Sequence, residues 1–306
     1  VDFVRGEHSY ITALHEIGHA LGLSHPFDGG SVDDSKMNLN IDNQRNTVMT
    51  YNQSDRNLKI HLSGGSAAFN GKAFMTTPGL LDIEAIEHIY GSTNWAANTG
   101  NTTFGGGEGG TEAAFNSNFE GLRVLSDSGG TDTLDASAVA ADSYGKHSVI
   151  NLTPGTYSSI NTYSTDLEKI TAVSAGDASK IASFEAALAT QNTAFSASNS
   201  YYPGFTRTAL YRGQENVGIA HNTWIENAIG GGGNDTITGN NKGNTITGKG
   251  GNDTIDGSGG VDMAVYAQDY ANYDVTNSGG TVTVNHARGA ANEGLDTLTN
   301  VAFLKF

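Results

Sequence analysis

A nine-residue repeat constrains this chain more than any other feature. Gly230, Gly239, Gly248 and Gly257 open four successive copies, GGGGNDTIT, GNNKGNTIT, GKGGNDTID and GSGGVDMAV. The sixth place holds Asp235, Asn244, Asp253 and Asp262, and the eighth holds Ile237, Ile246, Ile255 and Ala264. A flexible Gly/Asp linker would not fix an aliphatic residue at a ninth-residue period, so the copies read as stacked structural units. Their glycines permit a turn that aims carbonyls inward, the aspartates add charge, and the eighth residue points into a narrow core. Oxygen cages of this kind suit calcium. The second copy is degenerate, with Lys242 at a glycine place and Asn244 at the aspartate place, which puts its cation site in doubt.

A second motif, HEIGHALGLSH from His15 to His25, carries chemistry of another kind. Residues four apart share a helix face, so His15 and His19 can bind one ion together. Glu16 lies about 100° round from His15, near enough to hold a water on that ion without ligating it. Gly22 allows the left-handed turn that stops a helix, and His25 can fold back as a third ligand. The competing reading is a core helix with chance histidines. Length argues against it, as does NTVMTYN at Asn46 to Asn52, about 25 residues on. There Met49 reads as a soft side chain packed beneath the site. From spacing alone Tyr51 stays open, since a Tyr two residues after a core Met is most often a half-buried ring with a satisfied hydroxyl.

Composition narrows the partners. The 306 residues allow one large or two ordinary domains, and 37% hydrophobic content suffices for a core. The net charge of −16, from 32 acidic and 16 basic residues, argues against a nucleic-acid partner. Bound cations would offset part of it. Cysteine is absent, so any metal is held by nitrogen and oxygen. No run of 18 apolar residues is present to span a membrane. The chain begins at Val1 without a signal peptide, which says nothing about export.

The pattern predicts a helix over His8 to Leu23, with Tyr10, Leu14, Ile17 and Leu21 as its apolar stripe. Phe27 to Arg45 reads as a surface loop. A second helix is expected over Pro78 to Tyr90, capped by Thr77, stopped by Gly91 and packed on the first. Thr162 to Ser200 reads as an insertion, with a helix over Lys180 to Ala194 that puts Ile181, Phe184 and Leu188 on one side. Past the repeats, strands are expected at Tyr273 to Thr276, Thr281 to Val284 and Thr297 to Phe306, with a turn at Ser278 to Gly280. His8, His61, His88, His147, His221 and His286 show no metal spacing.

HEIGHALGLSHP, VMTYN and LLDIEAIEHIYG together resemble the serralysin-type secreted zinc endopeptidases of the metzincin group, over residues 8 to 91. That resemblance implies zinc on His15, His19 and His25, Glu16 as general base and then acid, and Tyr51 as a transition-state donor. The nonapeptides resemble the calcium-binding parallel β-roll of RTX proteins. They imply calcium at Gly231, Gly233, Asp235, Asn244, Gly248, Gly251, Asp253, Gly260 and Asp262. DSGGTDTLD, Asp127 to Asp135, is an isolated relative of the repeat, and WIENAIGGGGND follows the family's approach to the roll. By the same resemblance Asp127, Gly129, Gly130, Asp132 and Glu226 form a calcium site.

The expected architecture is therefore multidomain α+β. Residues 1–98 are the C-terminal part of a metzincin catalytic domain, and 99–306 an all-β RTX roll with an insertion near 162–200. In this family a twisted sheet and a further helix precede the zinc helix, so the chain is expected to be completed by an upstream segment or by another polypeptide. The implied setting is extracellular, reached through type I secretion machinery, with protein or peptide substrates. The alternative class is a calcium-stabilised adhesin or binding module that retains an inactive peptidase remnant.

Overall fold

Helix α1, His8–Ala20, ends where Leu21 and Gly22 close it, with Gly22 at φ +88°. It is shorter than the pattern predicts, and it buries a different face. Ile11, His15 and Gly18 point inward, whereas Ile17 is 54% exposed. The cause lies beneath Gly18, where the buried Met49 occupies the space a side chain would need. A Cβ on Gly18 would stand 2.3 Å from the Met49 sulfur. These positions come from a computed structural model that describes residues 4–28, 41–52, 57–63, 66–91, 99–105, 115, 120–198, 210–289 and 292–306. Most of the expected loop at 27–45 falls outside the described residues, as does the expected domain limit at 98.

After the 46–50 turn come an antiparallel hairpin, β1 (Leu58–Ser63) and β2 (Ser66–Lys72), and helix α2 (Leu80–Tyr90). Helix α2 starts two residues later than predicted and Thr77 does not cap it. The Thr77 hydroxyl accepts from the Val124 N–H, and the Asp82 carboxylate takes the Gly79 N–H instead. Gly91 ends the helix at φ +86° as expected. The Tyr90 hydroxyl donates to the Leu21 carbonyl at 3.1 Å, but the stronger tie between α1 and α2 runs through the 46–50 turn that both helices hold.

Two further helices, α3 (Asp166–Val173) and α4 (Ala178–Ser198), follow later in the chain. Helix α3 escaped the sequence reading although Thr165 and Glu168 form a complete capping box. Helix α4 runs longer at both ends than the predicted segment. Phe184 and Leu188 are buried with Ile60, Ile170 and Leu210, and Ile181 packs against that cluster. Helices α3 and α4 thus cover the β1–β2 hairpin. By its contacts the chain divides into one unit of residues 1–90, 120–124 and 163–214, and a second of 91–119, 125–162 and 215–306.

In the second unit the nine-residue copies alternate between two sheets. Short strands β3 (Thr103–Gly105), β4 (Arg123–Leu125, of which only Leu125 is counted in this unit) and β5 (Thr133–Asp135) precede β6 (His147–Asn151), β7 (Tyr157–Thr162) and β8 (Val217–Ile219). Then come β9 (Asn227–Ile229), β10 (Thr236–Thr238), β11 (Thr245–Thr247), β12 (Thr254–Asp256) and β13 (Met263–Val265). The hairpin β14 (Tyr273–Ser278) and β15 (Thr281–His286) leads to β16 (Leu295–Thr299) and β17 (Phe303–Lys305). One sheet runs β17-β13-β11-β9-β5-β3, the other β14-β15-β16-β12-β10-β6-β7-β8-β4.

Two copies therefore make one coil, and parallel pairing stacks Ile237 on Ile255 and Ile246 on Ala264. All four of these eighth-place residues are at most 1% exposed, in one core with Leu134, Ile150, Ala228 and Leu298. DSGGTDTLD joins the same stack, Leu134 pairing with Ala228. The single C-terminal strand expected over 297–306 is two, because the chain turns at Asn300 (φ +53°) and crosses to the other sheet.

Candidate metal centre

His15, His19 and His25 converge so that their Nε2 atoms stand 3.2 Å apart in each of the three pairs. The rings are fixed from behind. His15 Nδ1 donates to the Val48 carbonyl at 2.8 Å, His19 Nδ1 to the Leu23 carbonyl at 2.9 Å, and His25 Nδ1 to the Asp28 carboxylate at 2.6 Å. Carbonyls and carboxylates only accept, so each proton sits on Nδ1 and each Nε2 presents a lone pair. The 3.2 Å contacts are therefore not hydrogen bonds. Three lone pairs this close repel unless a cation lies among them, and nitrogen donors about 2.0–2.1 Å from a tetrahedral zinc are themselves about 3.3 Å apart. Among the described residues this is the one group of three or more metal-ligating side chains brought within 4.8 Å.

The turn that carries Val48 is set by a buried carboxylate that the sequence reading passed over. Asp82, 2% exposed, accepts from the Thr47 hydroxyl at 2.5 Å, the Val48 N–H at 2.8 Å and the Gly79 N–H at 2.7 Å. Burial pushes its carboxyl above the ordinary range, and these three bonds pull against that shift. Its position on the third residue of a helix beginning at Leu80 was the available signal. Asp82→Ala leaves three buried donors without an acceptor and is expected to cost about 2–4 kcal/mol. A urea titration of the full chain checks this, and affinity for a metal ion should fall with stability because the Val48 carbonyl orients His15.

Glu16 is exposed beside His15 on α1. Tyr51, 65% exposed, is not the half-buried ring that spacing alone favours. It stacks at 5.3 Å on His15, stands 4.9 Å from His25, and lies 5.4 Å from Phe27, which itself stacks on His25 at 4.9 Å. Sequence reasoning missed Phe27 and Asp28. Both sit directly after the His25-Pro26 step, where neighbours of a ligand are expected to orient it.

A second arrangement runs through the roll. Ser148 N–H donates to Asp235, Asp235 N–H to Asp253, Asp253 N–H to Asp296, and Asn244 N–H to Asp262, at 2.6 to 2.9 Å. Each Oδ1 is thereby used to bind the neighbouring coil. Oδ2 of Asp253 and Asp262 is buried with no hydrogen-bond partner, as is Oδ2 of Asp127 and of Asp132. The backbone turns that oppose these oxygens are tight. A Cβ on Gly248 would meet Asp253 Oδ2 at 2.1 Å, and Gly251 and Gly260 adopt φ +107° and +104° against the carbonyls of Gly233 and Lys242. Gly231 N–H is already given to Asp235 at 2.5 Å.

Upstream, Asp127 accepts from Gly129 N–H, and Glu226 accepts from Asp132 N–H. Asp127, Gly129, Gly130 and Glu226 line a cavity of about 160 Å³ with Trp224 and Lys242. These oxygen-rich, orphaned positions fit calcium. Asp296 was not foreseen as a member, although Gly294, Asp296 and Leu298 repeat the fourth, sixth and eighth places of the nonapeptide.

Without a cation this ladder is strained electrostatically. Burial raises Asp235 to about 6, Asp253 to about 8 and Asp296 to about 7, neighbouring carboxylates adding to the last two. Groups whose folded pKa is raised contribute stability that is present below their unfolded value near 4 and lost as pH rises through about 6 to 8. Chelated protein should therefore melt at a higher temperature at pH 5 than at pH 8, a comparison made by calorimetry in excess chelator. An unchanged or opposite trend would contradict the ladder electrostatics.

No family model matches the chain. Among curated proteins it is similar to serralysin of Proteus mirabilis, 30% identical over 242 residues, covering 77% of this chain and 36% of the relative. Serralysin B of Dickeya chrysanthemi is 30% identical over 241 residues, with 76% and 36% covered. Metallopeptidase AprA of Pseudomonas marginalis is 31% identical over 247 residues, with 75% and 37% covered. The chain thus spans little more than a third of the length of these relatives.

Proposed function

The chain belongs to the serralysin family of metallopeptidases, and on that footing we propose that it carries the metal centre of a secreted, zinc-dependent endopeptidase stabilised by calcium in its roll. The observation that carries this reading is the triangle of Nε2 lone pairs, each imidazole held by an acceptor at Nδ1. His15, His19 and His25 would hold zinc, which when bound lowers the pKa of a water to about 7 and polarises a carbonyl.

The rest is done by the chain's own side chains. Glu16 takes the proton from the attacking water and returns it to the leaving amine. Tyr51, stacked on His15, offers its hydroxyl as a hydrogen-bond donor to the oxyanion that develops on the substrate carbonyl. Met49 and Asp82 fix the floor on which His15 stands.

In the roll, Asp253, Asp262, Asp127 and Asp132 offer their unpartnered oxygens to calcium, with Asp235, Glu226 and the turn carbonyls completing the cages. Export without disulfides and folding on meeting extracellular calcium fit a chain that has no cysteine. Among the described residues no helix is long and apolar enough to cross a membrane.

Peptide hydrolysis that disappears on chelation and returns with zinc is the expected result. Tyr51→Phe should lower kcat by about 10-fold to 10²-fold with little change in KM, since the bond it removes strengthens only at the transition state. A protein that binds calcium but no zinc, and cleaves nothing, would support a binding module in its place.

A further inference from the structure

Asn244 stands at the aspartate place of the second copy and Asn240 at that copy's variable second place, and the structure joins them. Asn240 is 2% exposed and donates through Nδ2 to the carbonyls of Leu152 at 3.1 Å and Ile225 at 2.9 Å. Its Oδ1 accepts from the Lys242 N–H at 2.8 Å. Asn244, 1% exposed, accepts from the Asn240 N–H at 2.7 Å. Its Nδ2 donates to the Glu226 carbonyl at 3.0 Å and to Asn240 Oδ1 at 3.3 Å. Both amide groups are satisfied within the protein, while Asp253 and Asp262, in the same place of neighbouring copies, each keep a buried oxygen with no partner.

A carboxylate has only lone pairs to offer an inward carbonyl and needs a cation between them, whereas an amide brings N–H donors of its own. We propose that Asn240 and Asn244 form a metal-free clasp that replaces a calcium ion, so that residues 225–247 stay ordered when calcium leaves the neighbouring turns. The clasp rests on the calcium reading of the ladder. Lys242 reinforces it, placing its ammonium 4.8 Å from the Trp224 ring centroid and adding a fixed positive charge to the same copy. The degenerate copy is then not a lost site but a seam that holds the roll together at low calcium.

The test follows bound calcium per chain and amide hydrogen exchange in the full chain, with calcium and with excess chelator. In wild type, chelation should speed exchange in 250–265 at least about tenfold and leave 225–247 slow. Asn244→Asp should bind one more calcium per chain, and in chelator its 225–247 segment should exchange as fast as 250–265. Asn244→Ala, which offers neither donor nor ligand, should exchange faster in 225–247 with or without calcium.

The clasp is overturned if wild-type 225–247 loses protection together with 250–265, or if Asn244→Asp leaves both the calcium count and the exchange pattern unchanged. A wild-type chain that binds no calcium at all overturns the ladder reading, and the clasp with it.

Discussion

Glu16→Gln is expected to lower peptide hydrolysis by about 10²-fold or more while zinc stays bound and the fold is unchanged. Gln keeps the size and polarity of Glu but has no basic oxygen at neutral pH, so the variant removes proton transfer and little else. Glu16 is exposed on α1 and no core contact depends on it, which makes loss of folding a poor explanation for loss of rate. The fall should appear in kcat, because the carboxylate acts as the bond breaks rather than when substrate binds. Steady-state kinetics of both proteins in the same polypeptide, at matched zinc content, decide the matter. Near-normal turnover by Glu16→Gln would remove it from the role.

Chelating calcium at neutral pH should lower the melting temperature and strip β-structure from the later coils of the roll. Each copy buries a single aliphatic residue such as Ile255, worth about 1.5–3 kcal/mol. Ordering its nine backbone units costs about 1–2 kcal/mol per residue, so apolar burial does not hold a coil alone. Asp235, Asp253 and Asp296 add repulsion as they ionise, burial having raised all three. Millimolar calcium should restore both the melting temperature and the circular dichroism spectrum. Asp253→Ala should weaken that response more than Asn244→Ala, since Asp253 presents an unpartnered oxygen and Asn244 does not. A spectrum and melting curve indifferent to chelator, on protein shown to be calcium-free, would remove calcium from the account.

The roll was legible because its period is short and its chemistry local. A glycine, an aspartate and an aliphatic residue at fixed offsets determine turn, charge and core within nine residues, and Ile237, Ile246, Ile255 and Ala264 lie where the offsets put them. The histidines were legible for the same reason, all three lying within one helix and the turn after it.

What escaped depends on contacts distant in sequence. The inward face of α1 is chosen by Met49, which no helical periodicity can register. Asp82 reads as an ordinary first-turn acid until the 46–50 turn is seen to lie on it. The pairing of DSGGTDTLD with the main repeats, and the return of Asp296 to Asp253, both cross intervening segments. The β1–β2 hairpin was missed because its strands are polar at their tips and find apolar partners far along the chain, on α3, on α4 and at Leu210.

The central claim is that His15, His19 and His25 hold zinc. Its most direct test is zinc per chain, measured by mass spectrometry on purified wild-type protein and on His19→Ala after equilibration at equal free zinc. The account predicts one zinc in the wild type and almost none in the variant, whose two remaining imidazoles cannot close the triangle. Wild-type protein without zinc, or a His19→Ala variant that retains as much as wild type, would contradict it.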